Sequence, residues 1–165
     1  MSDVTIERLP PLGMLTIRGE FSEIGLVVQE ETGCSVPQPR MATRCDDRTL
    51  LWMSPDELML VCSRDAAAAT AGAMANRFGD AFATVIDVSD ARQVFALSGR
   101  DVEGALATLM PVDFVRMERE EVRRTRMAQI PAAIWREEGG WRLMCFRSVA
   151  TYAEDLLRGA HPVGG

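Results

Sequence analysis

The chain reads as an α+β protein: two internally duplicated strand-helix-hairpin-helix units sharing one core. Two observations predict this. The stretch 50–64, LLWMSPDELMLVCSR, is two short apolar strands around a turn, and 134–147, IWREEGGWRLMCFR, repeats its landmarks. Trp52, Cys62 and Arg64 recur as Trp135, Cys145 and Arg147 at one offset of 83 (52 to 135, 62 to 145, 64 to 147). Three matched residue types at a fixed interval mark an internal repeat. The second observation lies upstream of each hairpin. The strand 15–19, LTIRG, matches 95–99, FALSG, at an offset of 80 (15 to 95), and each precedes a helical stretch. Helices set apart from antiparallel strands define the α+β class. A half this small cannot bury both of its faces alone, so one core is expected. The expectation is a single domain over 1–165, with pseudo-repeats at about 12–79 and 93–160 and a frayed tail at 160–165.

Each element has a local reason. Residues 12–18 alternate as a strand that Gly19 ends. Ser22 is placed to cap the next helix, Ile24, Val27 and Val28 give it an apolar side, and Gly33 stops it. Residues 34–48 hold two prolines and no period, which predicts a loop long enough to order on a partner. In the hairpin, Pro55 presets φ for a tight turn between Ser54 and Asp56. Residues 65–77 are alanine-rich and helical. Residues 82–87 and 92–98 are strands. Asp101 opens a helix that buries Val102, Ala105, Leu106 and Leu109 and ends before Pro111. The second hairpin, 127–135 with 141–146, turns at 137–140. Ser148 is placed to cap the last helix, with Val149, Tyr152, Ala153 and Leu156 inward and Gly159 at its end.

Composition narrows the chemistry. The 165 residues are 47% hydrophobic, enough for a compact core, and no apolar run reaches the roughly 18 residues of a membrane span. The first residues carry acids and no apolar core, so no signal peptide is read there and a cytoplasmic setting is expected. A net charge of −6 disfavours nucleic acid as a partner. All 18 basic residues are arginine, so chemistry that needs lysine, such as a phosphate-loop lysine or a Schiff base, is excluded. The one histidine, His161, stands in the tail, which disfavours a histidine-based triad or metal site. Cys34, Cys45, Cys62 and Cys145 show no C-x-x-C spacing and read as four free thiols, with Cys34 and Cys45 at a loop that leaves them open to solvent.

Few residues stand out as site candidates. The run 116–126 carries Arg116, Arg119, Arg123, Arg124 and Arg126 among three glutamates. It reads either as a solvated mixed-charge face or as a docking surface for an acidic partner, since arginine suits interface ion pairs. Asp87, at a strand end, and Asp113, after a helix, are the weak polar-site candidates; capping around Val88-Ser89 is the plainer role for Asp87. Trp52, Trp135 and Trp141 are read as core or interface anchors rather than ligand platforms.

The stretch 86–114, with Asp87-Val88-Ser89, Leu97-Ser98-Gly99, a short helix and Asp113, resembles the opening of the folate-dependent aminomethyltransferases. A branch of that group, the gamma subunits of heterotetrameric sarcosine oxidases, is more similar still. The shared signs are Trp52, Pro55, Asp56 and Glu57 in the first hairpin, then Arg124-Thr125-Arg126, 128–133 (AQIPAA), Trp135-Arg136 and Arg147-Ser148-Val149-Ala150 with Tyr152. The resemblance covers most of residues 50–157. It implies the duplicated folate-binding domain, in which the halves exchange strands. It also implies a non-catalytic subunit of a complex that oxidatively demethylates sarcosine to glycine. Flavins, NAD and tetrahydrofolate are then expected in larger subunits, with no cofactor, metal, nucleic acid or membrane for this chain. The catalytic relatives carry aspartates just before the second hairpin; here the stretch is Gln129-Ile130-Pro131-Ala132. The second reading is a stand-alone folate-binding or one-carbon-transfer protein.

Overall fold

The computed structural model describes residues 3–161. In chain order the elements are β1 (Thr5–Arg8), β2 (Gly13–Arg18), α1 (Phe21–Thr32), β3 (Ala42–Cys45), β4 (Arg48–Ser54), β5 (Glu57–Cys62), α2 (Ala67–Phe78) and β6 (Thr84–Asp87). They continue with β7 (Arg92–Ser98), α3 (Val102–Leu109), β8 (Val122–Met127), β9 (Ile130–Glu137), β10 (Gly140–Phe146) and α4 (Ala150–Gly159). The chain folds as two compact units, one of Pro11–Asp90, the other of the residues up to Pro10 with those from Ala91 onward.

Each unit holds one five-stranded antiparallel sheet. The order is β3-β4-β5-β2-β6 in the first and β8-β9-β10-β7-β1 in the second. β1 precedes β2 in the chain yet pairs with β7, and β6 precedes β7 yet pairs with β2. The end strand of each sheet therefore comes from the segment leading into the other unit.

The alternation of β2 decides which side chains meet the helices. Leu15 and Ile17 join Leu50, Leu58, Leu60, Val28 and Met74 in the apolar cluster of the first unit. In the second, Phe95, Leu97, Ile134 and Leu143 gather with Leu106, Ala153 and Leu157. Each unit has its own helix-side cluster, and Met14, Leu51, Met59, Val94, Trp135 and Met144 are buried outside both. Five strands and two helices supply each unit with apolar surface from both layers, and a fully buried leucine contributes about 1.5–3 kcal/mol.

The glycines at the strand-to-helix corners have a steric reason. Gly99 sits at φ 119°, and a Cβ there would lie 2.0 Å from the Asp3 carbonyl oxygen. At the end of α1, Gly33 takes a left-handed φ of 78° and its N–H donates to the Gln29 carbonyl, closing the helix as its sequence suggested.

Several local expectations are corrected. The stretch 34–48 is not all loop: β3 lies within it, paired with β4 through a turn in which Asp46 takes φ 53°. A four-residue end strand without strong apolar alternation gives little signal. Ser22 lies inside α1 rather than at its cap, which is Glu20, and no side chain caps that end. Ser148 lies in a 3₁₀ turn, Arg147–Val149, ahead of α4. That turn sets the helix phase, so Ala150, Ala153 and Leu157 face inward, while Tyr152 is 47% exposed. Cys34 is buried and Cys45 only half-buried. Of the tail expected to fray, Ala160 and His161 follow α4, and 162–165 lie outside the described residues.

Candidate functional site

The central strand pairs of the two sheets have matching registers. Gly13 pairs with Cys62, and Gln93 with Cys145, so β2 maps on β7 at 80 and β5 on β10 at 83. Both cysteines stand on strands in equivalent places. The tryptophans do not. Trp52 lies opposite Leu58, whereas Trp135 lies opposite Arg142 rather than Trp141. A register shift between Trp52 and Ser54 moves the outer strand by one residue, so Arg136, not Trp135, stands where Trp52 does. One residue of slip turns a side chain to the other face of a sheet. Accordingly Trp52 packs half-buried on the helix-side cluster, while Trp135 is buried outside the helix-side cluster of its unit.

Asp87, the best polar candidate, closes β6. Its Oδ1 accepts the Ser89 backbone N–H at 3.0 Å and also the Ser89 hydroxyl. Ser89 is buried, and its Oγ accepts the Met14 N–H at 2.9 Å. Arg64 reaches the same corner, 3.0 Å from Asp90 Oδ1 and 3.8 Å from Asp87 Oδ2. The Ser89 hydroxyl bond, with its backbone bond and the Arg64 charge, holds the Asp87 carboxyl below the usual aspartate range. Both of these hydrogen bonds come from Ser89, two residues on, which is the capping arrangement. Asp113 behaves alike: it accepts the Arg116 N–H at 3.3 Å, and Arg116 Nε lies 3.6 Å from Oδ2 in an exposed pair.

The arginine run divides. Arg116 and Arg119 project from the loop ahead of β8, with side chains 88% exposed. Arg124 and Arg126 are exposed on β8, an end strand of its sheet. Arg123 is different: its Nε lies 2.6 Å from Oε1 of the buried Glu121, as an ion pair rather than an aligned hydrogen bond. Glu121 Oε2 also accepts the Glu118 N–H at 3.0 Å, so this pair folds the loop. Val115, 92% exposed, stands beside Arg116.

A second arginine was not singled out from sequence. Arg136 stacks over Trp141 at 4.4 Å and donates to the carbonyls of Met117 and Phe114 and to Glu103. Phe114 meets Trp141 edge-on at 5.2 Å. The guanidinium fork pins the loop after α3 to β9 and β10. The signal was the Trp-Arg dipeptide, whose two faces the sequence does not tell apart. Gln129 lies between β8 and β9, and Ile130, Pro131 and Ala132 begin β9 with no carboxylate among them. Among the described residues no three His, Cys, Asp or Glu side chains gather as a metal site, and no helix is long and apolar enough to cross a membrane.

No protein-family model and no curated protein sequence matches the chain. Solved structures do. The fold is similar to part of a larger protein, glycine cleavage system aminomethyltransferase T from Bartonella henselae, with TM-score 0.73 at 14% identity, over 96% of this chain and 46% of that one. The match is tighter to a chain of heterotetrameric sarcosine oxidase from Corynebacterium sp. U-96, solved with pyrrole 2-carboxylate. There the TM-score is 0.85 at 23% identity, over 93% of this chain and 81% of that chain. The regulatory subunit of aspartate kinase from Thermus thermophilus matches more loosely, with TM-score 0.51 at 11% identity over 98% and 97% of the two chains. The fold that the sequence resemblance implies is similar to the folds of the first two structures.

Proposed function

We propose that this chain is a non-catalytic, gamma-type assembly subunit of a complex that oxidatively demethylates sarcosine to glycine. The observation that carries the reading is the likeness to a heterotetrameric sarcosine oxidase chain along 93% of this sequence. The strand pairing supports an internal duplication with exchanged end strands, the arrangement expected of the folate-binding domain. Flavin, NAD and tetrahydrofolate belong in this reading to the larger subunits, and the chain carries no cofactor of its own. Gln129-Ile130-Pro131-Ala132, where the catalytic relatives have aspartates, agrees with that: no carboxylate is available there to steady a developing cation. The setting is the cytoplasm.

The docking surface in this reading is the loop ahead of β8 with its exposed arginines. Val115 supplies an apolar anchor, with Arg116 and Arg119 exposed in the same loop and Arg126 exposed further along β8, for an acidic partner face. Arg123 is assigned to the loop's own ion pair instead. The test is co-expression with the large sarcosine oxidase subunits of the same source. The chain is expected to co-purify, and replacing Arg116, Arg119 and Arg126 together by alanine is expected to weaken assembly while leaving Tm nearly unchanged. Assembly that survives the triple change moves the docking surface elsewhere; failure of the unmutated chain to assemble sinks the reading. A stand-alone folate protein is the second reading, favoured by the aminomethyltransferase fold. Titration of the isolated chain with tetrahydrofolate separates the two: saturable binding supports the second.

A further inference from the structure

The four thiols differ in surroundings. Cys62 and Cys145 are buried on central strands, and burial pushes the Cys145 thiol up to about 11. These two are inert packing groups. Cys34 and Cys45 lie where the C-terminus of α1 meets β3, and Arg48, the partner of Cys45, separates Cys45 from Cys62 along the sheet. Cys34 follows Gly33, the α1 cap, and a Cβ on Gly33 would lie 3.2 Å from the Cys45 sulfur and 3.7 Å from its Cβ. Cys34 Sγ sits 3.8 Å from the Arg48 carbonyl oxygen, and Arg48 is the cross-strand partner of Cys45. The Cys45 backbone amide is within hydrogen-bonding reach of the Cys34 sulfur. Both side chains face the same apolar cluster. The Cys45 sulfur thus lies against the residue next to Cys34, and a disulfide needs Cα atoms roughly 4.4–6.8 Å apart.

We propose that Cys34 and Cys45 form a peroxide-responsive dithiol pair, which closes to an intramolecular disulfide joining the end of α1 to the end strand β3. Cys45 is half-buried and is the entry point, whereas Cys34 is 1% exposed and waits behind it. Burial raises the Cys34 thiol, which makes it the resolving rather than the attacking group. In the first step the Cys45 thiol gives up its proton, its thiolate attacks hydrogen peroxide and the O–O bond breaks, so that a sulfenic acid forms and the leaving hydroxide takes up that proton as water. In the second, the Cys34 sulfur attacks the sulfenyl sulfur, the S–O bond breaks, and the leaving hydroxide takes the Cys34 proton as water. Two thiols and one peroxide become one disulfide and two waters. The bond would close the segment between α1 and β3, the stretch whose prolines suggested a partner-ordered loop. The proposal stands apart from the sarcosine oxidase reading and does not depend on it.

The experiment treats the purified full chain with a small excess of hydrogen peroxide, alkylates it in denaturant and digests it with trypsin without reductant. The expected product joins the peptide 19–40, which carries Cys34, to the peptide 45–48, which carries Cys45. It is lighter than the two reduced peptides by two hydrogen atoms and is released by dithiothreitol. In Cys34→Ser, dimedone should trap a sulfenic acid on Cys45; in Cys45→Ser, Cys34 should stay a thiol. The wild-type digest decides the matter even if a variant folds poorly. Recovery of alkylated Cys34 beside over-oxidised Cys45, or a cross-link involving Cys62, Cys145 or a second copy of the chain, overturns the proposal.

Discussion

β6 and β1 take the same place in their sheets and carry opposite chemistry. Thr84 pairs with Arg18, and Thr5 with Ser98, which stands 80 positions on (18 to 98), so the two end strands are in register. Glu7 then corresponds to Ile86, and Arg8 to Asp87. In β1 these positions are charged and Arg8 reaches Gln93 and Glu154. In β6, Ile86 is 53% exposed, Phe82 just before it is 98% exposed, and Asp87 turns back to its own Ser89. The backbone frame fixes an end strand through its hydrogen bonds and one inward side chain, Val85 or Ile6. The outward positions touch no core and diverge freely.

The sharpest test of the unit comparison is the tryptophan pair. Trp135 is 1% exposed and donates its indole N–H to Glu137 at 3.1 Å, so Trp135→Ala should cost about 3–5 kcal/mol. Trp52→Ala, at a half-buried place equivalent to Arg136, should cost clearly less. Equal losses in chemical denaturation would mean that the one-residue slip has no energetic consequence.

Next come the two corner glycines. Gly99→Ala would drive a methyl into the Asp3 carbonyl at a positive φ, and a loss of about 1–3 kcal/mol is expected. Gly19, at φ 152° with 3.0 Å to the Ala83 methyl, should lose less on the same change. The reverse order in thermal melts would remove Asp3 as the reason for Gly99.

Within β8, Arg123→Ala strands the buried Glu121 carboxylate and should cost about 1–3 kcal/mol. Arg126→Ala, at an exposed position, should change stability by less than about 0.5 kcal/mol. Similar values for the two would show that Glu121 is solvated without its arginine.

The smallest effect separates Asp87 from Arg8. The folded Asp87 carboxyl titrates below its unfolded value, so its stabilisation is complete above the ordinary aspartate pKa of about 3.9 and fades as pH falls through the lower folded value. A third of that side chain is exposed, which holds the contribution under about 1 kcal/mol. Asp87→Asn should therefore melt lower at pH 7 and match the parent chain in strong acid. Arg8→Gln, which loses a half-exposed pair to Glu154 at 3.7 Å, should change stability by less than about 0.5 kcal/mol at pH 7.

Much of the fold was legible along the chain, because its signals are local. The short apolar runs of β2, β5 and β7, the turn at Pro55-Asp56 and the left-handed Gly33 are properties of neighbouring residues. Matching the strands before each helix and the cysteines after each hairpin needed only a constant offset. The short end strands β1 and β3 were missed, since four residues without apolar alternation become strands only when a partner edge meets them.

The sequence by itself determined the α+β class, the order of most elements, the exclusion of lysine chemistry and the capping role of Asp87 around Ser89. Tertiary structure decided what depends on meetings between distant segments: that β1 pairs with β7 and β6 with β2, and that Arg136 rather than Trp135 answers to Trp52. It alone set Arg123 on buried Glu121 and brought Cys34 beside Cys45. A residue type fixes its own dihedral and hydrogen-bonding preferences, but pairing across a sheet is a choice among partners. One residue of register, invisible to a pattern of period two, exchanges one face for the other.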